Sequence, residues 1–223
     1  LSYLQARDHH QFNQGRATVQ MAVKRHLQHG ALVLGANGDL LAVNDEVYRN
    51  AYGLFGHWSL SLNKSSRLSL FGQAKELDYP DQSIRNTERL TVGAGYTKAV
   101  RAPFSPVIKL VAKVGNEDEN HNNAPHQGHD FANLTLQARF SLPYDLRFHA
   151  TTFYEERNYG GTDPLFLISR EDQYAGLNLK LVKRFANGWS ITPEVSFSTN
   201  DSNIELQDYN RSMAMFTVKK RFR

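Results

Sequence analysis

The feature that most constrains the fold of this chain is an alternation of apolar and polar residues that recurs along most of its length. Between positions 132 and 142 every second residue is apolar, and the residues between them are polar. Successive side chains of a β-strand point to opposite faces, so this pattern predicts a strand with one apolar and one polar face. The same pattern recurs near positions 90–96, 108–114, 146–154, 175–181 and 189–197.

Alternation and turn residues together predict about twelve strands. We expect them near positions 1–9, 16–27, 30–44, 46–62, 66–79, 86–100, 106–117, 130–142, 145–159, 171–185, 188–201 and 209–222. Most are far longer than the roughly 5–6 residues of globular strands, and they exceed the roughly 9–11 that a tilted membrane strand needs. Long strands with one apolar face are typical of a transmembrane, antiparallel, up-and-down β-barrel. The sequence therefore predicts an all-β fold in which residues 1–223 form one outer-membrane barrel domain.

The predicted connections alternate between short and long, which favours a membrane barrel over a soluble sandwich. Short connections fall at positions 28–29, 63–65, 101–103, 143–144 and 187–188, and longer polar ones at 80–85, 116–129, 160–170 and 201–208. Outer-membrane barrels have tight periplasmic turns and longer outside loops. We therefore expect a bacterial outer-membrane location with both chain ends in the periplasm. The dipeptide Asn187-Gly188 predicts a two-residue hairpin with positive φ.

Aromatic residues cluster near the two ends of the predicted strands, as interfacial anchoring in a membrane requires. Trp58, Phe148, Phe185 and Trp189 lie beside short turns. The group predicted mainly towards the long loops comprises Tyr154, Phe197, Tyr52, Tyr79, Tyr96, Tyr159, Tyr174 and Tyr209. The alternative is the ordinary aromatic core of a soluble β-protein, and the length of the strands argues against it.

Composition narrows the class of protein further. The mean hydropathy is -0.53, and no run of about 18 apolar residues is present, which excludes helical membrane proteins but not barrels. There are no cysteines, which removes disulfides and thiolate metal sites. The net charge is +4, but Lys and Arg are scattered, so nucleic-acid binding is not predicted. A chain that starts at Leu1 without a signal peptide reads as a processed or truncated piece, with room for an upstream domain.

No catalytic motif is present, so no enzyme and no cofactor are predicted. His121, His126 and His129 share one predicted loop with several acidic residues. A charged outside loop explains them as well as a metal site does, and the sequence shows no second ligand shell. Gly93 and Gly95 fall on the inward face of a strand, where glycine allows curvature or a close approach.

The inward face of the predicted barrel is rich in cations. Strand parity places a basic wall there, formed by Lys109, Lys113, Arg139, Arg147 and Lys180. A cationic lumen favours anions or an acidic polymer. Equally, several of these residues could lie near the rim and only balance local charge.

The last fifty residues resemble a known family. The matching segments are Arg-Glu-Asp-Gln-Tyr at 170–174, Gly-Trp-Ser-Ile-Thr-Pro at 188–193, Asn-Asp-Ser-Asn-Ile at 200–204, Asp-Tyr-Asn-Arg at 208–211 and Lys-Lys-Arg-Phe at 219–222. These segments resemble the C-terminal barrel of the surface lipoprotein assembly modifier family, in which a periplasmic tetratricopeptide-repeat domain precedes an outer-membrane barrel. Positions 85–160 share the strand rhythm and Asp-Pro-Leu-Phe at 163–166 also agrees.

The resemblance implies an outer-membrane channel that assists translocation or export of protein to the cell surface. Two alternatives remain open on the sequence: a passive diffusion pore, and a structural barrel that anchors a larger envelope complex. The partners expected are outer-membrane lipids, the barrel assembly machinery during biogenesis, and an exported protein cargo or envelope complex.

Overall fold

The computed structural model describes residues 2–4, 14–120 and 124–221, and most of them lie in one antiparallel sheet. The strands are β1 (Ser2–Leu4), β2 (Gln14–Leu27), β3 (Gly30–Val43), β4 (Glu46–Asn63), β5 (Ser66–Asp78), β6 (Thr87–Ala99), β7 (Val107–Glu119), β8 (His129–Leu142), β9 (Leu146–Thr162), β10 (Ser169–Arg184), β11 (Trp189–Ser202) and β12 (Tyr209–Lys220). Their order in the sheet is their order in the sequence. The predicted all-β, up-and-down architecture is therefore confirmed.

The strand count needs one correction. The first predicted strand, 1–9, is represented only by the three residues of β1, which pair with Gln14–Arg16 of β2, and positions 5–9 lie outside the described residues. The long strands, from 12 to 18 residues each, therefore number eleven rather than the predicted twelve. The limits of the long strands lie within a few residues of those predicted.

The connections define two edges of the sheet. The long-loop edge carries the loops that follow β5, β7, β9 and β11, and short 3-10 turns form in three of them, at Ser83–Arg85, Pro125–Gln127 and Glu205–Gln207. The short-turn edge carries the connections that follow β2, β4, β6, β8 and β10.

Two connections break the predicted alternation of short and long. The β3–β4 hairpin lies on the long-loop edge, yet it is only two residues long, because Asn44 and Asp45 both adopt the positive φ of a tight primed turn (53° and 64°). The β6–β7 connection lies on the short-turn edge, yet it runs over positions 100–106, with positive φ at Phe104 and Ser105.

The predicted two-residue hairpin at Asn187-Gly188 is also wrong in detail. The Gly188 amide donates to the Phe185 carbonyl (3.1 Å), and the Phe185 amide donates to the Trp189 carbonyl (2.9 Å). The loop is therefore the three-residue type in which a type I turn is followed by a left-handed glycine. Only Gly188, at φ +84°, has the predicted positive φ.

The two faces of the sheet differ sharply. Residues directly opposite each other in an antiparallel ladder share a face, so the register assigns every strand residue to one of two surfaces. We call the surface that contains Asp39, Glu117 and Glu155 the polar face, and the opposite surface the apolar face.

The apolar face is open to its surroundings. Met21, Val23 and Leu54 are 73%, 77% and 68% exposed, whereas soluble proteins rarely leave such contiguous apolar surface uncovered. Among the described residues the buried hydrophobic set is small: Ala51, Leu77, Tyr79, Ala124, Phe131 and Ile204. Charged and polar side chains are buried more often, which is the inverse of a soluble core.

The sheet curls towards its polar face. One cavity of about 380 Å³ is lined by side chains from every strand between β2 and β9, with Gln20 at one end of the series and Glu155 at the other. In a flat sheet, strands about 4.8 Å apart would separate β2 from β9 by roughly 30 Å. Strong curvature is therefore needed to bring both strands to one cavity. Within the described ranges, no ladder joins β12 to β1 or β2.

No helix among the described residues is long and apolar enough to cross a membrane.

Candidate functional site

A belt of ion pairs crosses the polar face in the half nearer the long-loop edge. Asp39 of β3 is 8% exposed and accepts hydrogen bonds from Arg16 of β2 (2.5 Å), Thr18 (3.1 Å) and Arg49 of β4 (3.2 Å). One carboxylate thereby joins three neighbouring strands. Because a buried carboxylate is costly unless it is paired, these contacts explain why Asp39 is tolerated in the middle of a strand.

The same arrangement recurs at Glu117 of β7. Its Oε1 accepts from the Thr87 hydroxyl (2.8 Å), and its Oε2 accepts from the Arg89 guanidinium (Nε at 2.5 Å). Arg89 and Thr87 both lie on β6, so this carboxylate joins β6 to β7. With two donors in place, Glu117 is only 7% exposed.

Glu155 of β9 is shared between three donors. Its Oε1 accepts from the Nε and Nη2 of Arg157 (2.8 and 2.6 Å), and its Oε2 accepts from the Asn133 amide (3.1 Å). Lys113 Nζ lies farther away, 3.6 Å from Oε2. The carboxylate is therefore committed to Arg157 and Asn133, and it compensates Lys113 only weakly.

Asp172 of β10 completes the belt. Its two oxygens accept from the Nε and Nη2 of Arg170 (2.9 and 2.6 Å), and the residue is 2% exposed. Two-point contacts of this kind fix both the distance and the orientation of the guanidinium. Arg170 also lies 4.5 Å from the Tyr159 ring centroid.

The predicted basic wall lies on the polar face, but its members differ in charge compensation. Lys180 forms a 2.8 Å ion pair with Glu194, and Lys113 has its 3.6 Å contact with Glu155. Lys109, Arg139 and Arg147 form no ion pair with any described residue. The structure thus divides the five residues into Lys180, which is compensated, Lys113, which is compensated only weakly, and an uncompensated group of three.

Register shows which of these cations are neighbours. Arg139 lies directly opposite His149, which in turn lies opposite Lys180, so the three form one row across β8, β9 and β10. Lys109 lies opposite Gln137, two residues before Arg139 on β8. The uncompensated cations therefore occupy the half of the polar face nearer the short-turn edge, beyond the ion-pair belt.

The cavity inside the curl lies beside the ion-pair belt. Its charged lining residues are Lys75, Arg89, Lys113 and Glu155, and its phenylalanine lining residues are Phe55, Phe71 and Phe131, with His129 beside them. Lys113 Nζ and Arg89 Cζ lie 5.4 and 5.8 Å from the Phe131 ring centroid. The arrangement offers positive charge next to flat apolar surface.

Each of four phenylalanines on the polar face lies directly opposite a glycine. The pairs are Phe55 with Gly35, Phe71 with Gly93, Phe131 with Gly115, and Phe153 with Gly176. In all four, a Cβ on the glycine would lie within 2.7 Å of the ring. The ring therefore needs the glycine in order to pack this closely against the neighbouring strand. The sequence predicted the close approach at Gly93 but not its aromatic partner.

Six of the predicted interfacial aromatics lie on the apolar face. Trp58, Phe148, Phe185 and Trp189 are on the half nearer the short-turn edge, and Lys220 Nζ lies 5.0 Å from the Trp189 ring. Tyr154 marks the end of the apolar residues on β9, because the next residue of that strand on the same face is Glu156. Phe197 lies on the same face, one cross-strand row nearer the short-turn edge.

The remaining tyrosines predicted near the long loops are placed differently. Tyr159, Tyr174 and Tyr209 lie on the polar face, and Tyr79 packs with Ala51 and Leu77 in the small buried cluster. Tyr96 lies near the short-turn edge, where its hydroxyl donates to Ser66 (3.3 Å). Tyr159, Tyr174 and Tyr209 therefore lie near the long loops as predicted, but their rings pack against cations of the polar face, as Tyr174 does against Arg157 (5.6 Å).

No group of three possible metal ligands occurs within the described part of the chain, from which His121 is missing. His129 is 9% exposed, stacks near Tyr159 at 4.9 Å, and leaves its Nδ1 without a hydrogen-bond partner. It belongs to the lining of the cavity.

Residues 3–222 match the family model described as "Surface lipoprotein assembly modifier", which confirms the resemblance and extends it beyond positions 170–222. Comparison with the curated proteins finds no match. Among solved structures, a chain described as "KdgM porin" is similar at 11% sequence identity, with a TM-score of 0.47, over 94% of this chain and 98% of that chain.

Proposed function

The chain belongs to the surface lipoprotein assembly modifier family, and on that premise we propose that it is an outer-membrane β-barrel that assists translocation of protein to the cell surface. The cargo suggested by the family's description is a surface lipoprotein. The observation that carries the proposal is the combination of this membership with a curled sheet whose apolar face is exposed.

Two physical requirements favour a barrel: each face of the sheet must have a suitable environment, and the backbone groups of the edge strands must have hydrogen-bond partners. The exposed apolar face suits contact with lipid, while the curled polar face suits an enclosed, hydrated interior. In hydrocarbon an open sheet edge would leave backbone groups without partners, at several kcal/mol each, so a membrane sheet must close. Closure of the curl completes that arrangement, with outer-membrane lipid outside and the ion-pair belt inside.

The orientation belongs to the same proposal. Outer-membrane barrels have their longer loops outside and their tight turns in the periplasm. The long-loop edge would then face the outside of the cell, and the C-terminal end of β12 would lie on the periplasmic side. The barrel assembly machinery is the expected partner during biogenesis.

In this proposal the basic wall would line the periplasmic mouth of the barrel, where a transported solute or polypeptide would enter. Lys109, Arg139 and Arg147 have no carboxylate partner in the described ranges and lie towards the short-turn edge. A mouth lined with uncompensated cations attracts anions or an acidic polymer segment. The same feature favours a second candidate function, a passive pore with anion preference.

Deletion of the gene in its own bacterium tests the export function. We expect the fraction of lipoprotein that protease removes from intact cells to fall, while total lipoprotein stays constant. The full-length gene should restore that fraction, and the surface exposure of unrelated barrel proteins should not change. An unchanged surface fraction, together with conductance of the purified protein in planar bilayers, would favour the pore instead.

A further inference from the structure

Two cations face each other directly across neighbouring strands in the cavity. Lys75 of β5 lies opposite Arg89 of β6, and both line the same space. Like charges in directly opposed positions destabilise a sheet. Arg89 is held by Glu117, whose two oxygens are already occupied by Arg89 and Thr87. The one carboxylate bound by this pair, Glu117, therefore cannot neutralise both cations.

Lys75 is the uncompensated member of that pair. It forms no ion pair with any described residue. The nearest carboxylate of the belt on this side is Asp39, which already accepts from Arg16, Thr18 and Arg49. The Lys75 stem crosses over Gly53, where a Cβ would lie 2.7 Å from Lys75 Cγ. The backbone at Gly53 thus makes room for a lysine that forms no ion pair with a carboxylate in the described part of the chain.

A third cation approaches from β7 on another side of the cavity. Lys113 Nζ is 3.6 Å from Glu155, too far for a hydrogen bond, because Arg157 and Asn133 occupy that carboxylate at shorter distances. The two lysines and Arg89 therefore converge on one space in which Glu155 is the only carboxylate among the described lining residues.

The rest of the lining is aromatic. Phe71 and Phe131 pack against Gly93 and Gly115 on the neighbouring strands, and both rings line the cavity. A volume of about 380 Å³ falls within the range of small-molecule sites, which combine apolar walls with a few placed polar groups. Positive charge directly beside ring surface, as at Lys113 and Phe131, suits an anion attached to apolar carbon.

We propose that this cavity is a carboxylate-binding site, with Lys75, Arg89 and Lys113 holding the charged group and Phe71 and Phe131 contacting the carbon next to it. A single carboxylate matches Lys75, the one ammonium among the described cavity-lining residues that has no ion pair. The carboxylate could come from a free small molecule or from an acidic side chain of a polypeptide inside the curl. The inference goes beyond the export function and depends only on the cavity.

Calorimetric titration of the purified full chain in detergent micelles at low ionic strength tests the site, with benzoate as the probe and benzamide as its uncharged counterpart. We expect saturable binding of benzoate that is at least about tenfold tighter than binding of benzamide. Lys75→Gln should weaken benzoate binding at least about tenfold, and Lys75→Arg should restore most of it. The matched control is Arg184→Gln, which removes a cation from the polar face outside the cavity and should leave the affinity unchanged.

A tetraglutamate peptide separates the two sources of the carboxylate. Competition between the peptide and benzoate indicates an acidic polypeptide segment, whereas failure to compete indicates a free small carboxylate. The proposal is overturned by equal affinity for benzoate and benzamide, by no saturable binding of benzoate, or by equal loss in Arg184→Gln. If Lys75→Gln does not fold, Lys113→Gln and the salt dependence of the wild-type affinity supply the same test. Export measured in cells is a separate readout, so failure here leaves the export proposal standing.

Discussion

Gly93 and Phe71 form a cross-strand pair in which the absence of a side chain on one strand makes room for the ring of the other. A Cβ on Gly93 would lie 2.4 Å from Phe71 Cζ and 2.7 Å from the carbonyl oxygen of Ala112. Because backbone cannot move aside cheaply, we predict that Gly93→Ala lowers the free energy of unfolding by about 1–3 kcal/mol. Urea titration in lipid vesicles would measure it.

Gly38→Ala is the matched control, since a Cβ at Gly38 would meet nothing within 4 Å. Gly38 lies inside β3, so loss of unfolded-state freedom should make that variant neutral or more stable by up to about 1 kcal/mol. Equal destabilisation by both substitutions would mean that strand propensity, and not the phenyl ring, decides the effect.

The second prediction concerns the apolar face. Leu136 lies there opposite Leu110, whereas its chain neighbour Gln137 lies on the polar face opposite Lys109. Arginine at a lipid-facing site near mid-membrane costs about 2–4 kcal/mol, so Leu136→Arg should destabilise the vesicle-embedded protein by that amount. Gln137→Arg should cost much less. A similar cost at both positions would contradict the assignment of the two faces.

The third prediction concerns the buried end of the ion-pair belt. Asp172→Asn removes the charge that Arg170 contacts through two nitrogens and leaves a half-buried guanidinium without its partner. We expect a loss of about 2–4 kcal/mol in the free energy of unfolding. Asp201→Asn, at an exposed position without an ion pair, should change stability by less than about 0.5 kcal/mol. Stability that is insensitive to Asp172→Asn would show that the pair is not needed to hold β10.

The fourth prediction concerns the basic wall. Replacing Lys109, Arg139 and Arg147 with Glu reverses the charge of the uncompensated cations, so an open channel should shift from anion towards cation preference. Reversal potentials in asymmetric salt across a planar bilayer would report the shift. Lys180→Glu serves as a comparison, since Lys180 is already paired with Glu194. Unchanged selectivity in the triple variant would remove the wall from the conducting path.

The fifth prediction concerns orientation. The β9–β10 loop exposes Leu165 and Leu167 at 75% each, which makes it a suitable protease site on the long-loop edge. Protease added to intact cells should cut within positions 163–168 and leave positions 185–188 uncut. Cleavage confined to 185–188 would place the short-turn edge outside the cell and invert the proposed topology.

The strands were the part of this structure that could be predicted. Period-two alternation predicted the bounds of β8 and β11 to within one residue. It also predicted the face of each strand residue, because that face depends only on whether the position is odd or even. Gly35, Asn37 and Asp39 break the apolar and polar alternation of the strand predicted over 30–44, yet β3 is continuous. Gly35 lies under the Phe55 ring and Asp39 is paired by two arginines, so both local irregularities have partners on other strands.

The ion-pair belt could not be predicted, because it depends on register between strands that are far apart in sequence. Nothing in the local sequence around Lys113 shows that Glu155 lies two strands away with Asn133 between them. For the same reason the five cations of the basic wall looked equivalent. Parity placed all of them on one face, but compensation of Lys113 and Lys180 required knowledge of their cross-strand neighbours.

The identity of sequence order and strand order has a consequence for how this sheet forms. Every ladder joins strands that are consecutive in the chain, so each pairing closes only a short loop and the contact order stays low. Each completed hairpin presents its outer strand as a template for the next segment. The sheet can therefore grow one strand at a time along the chain, and at each step its first strand and its newest strand are the two edges left unpaired.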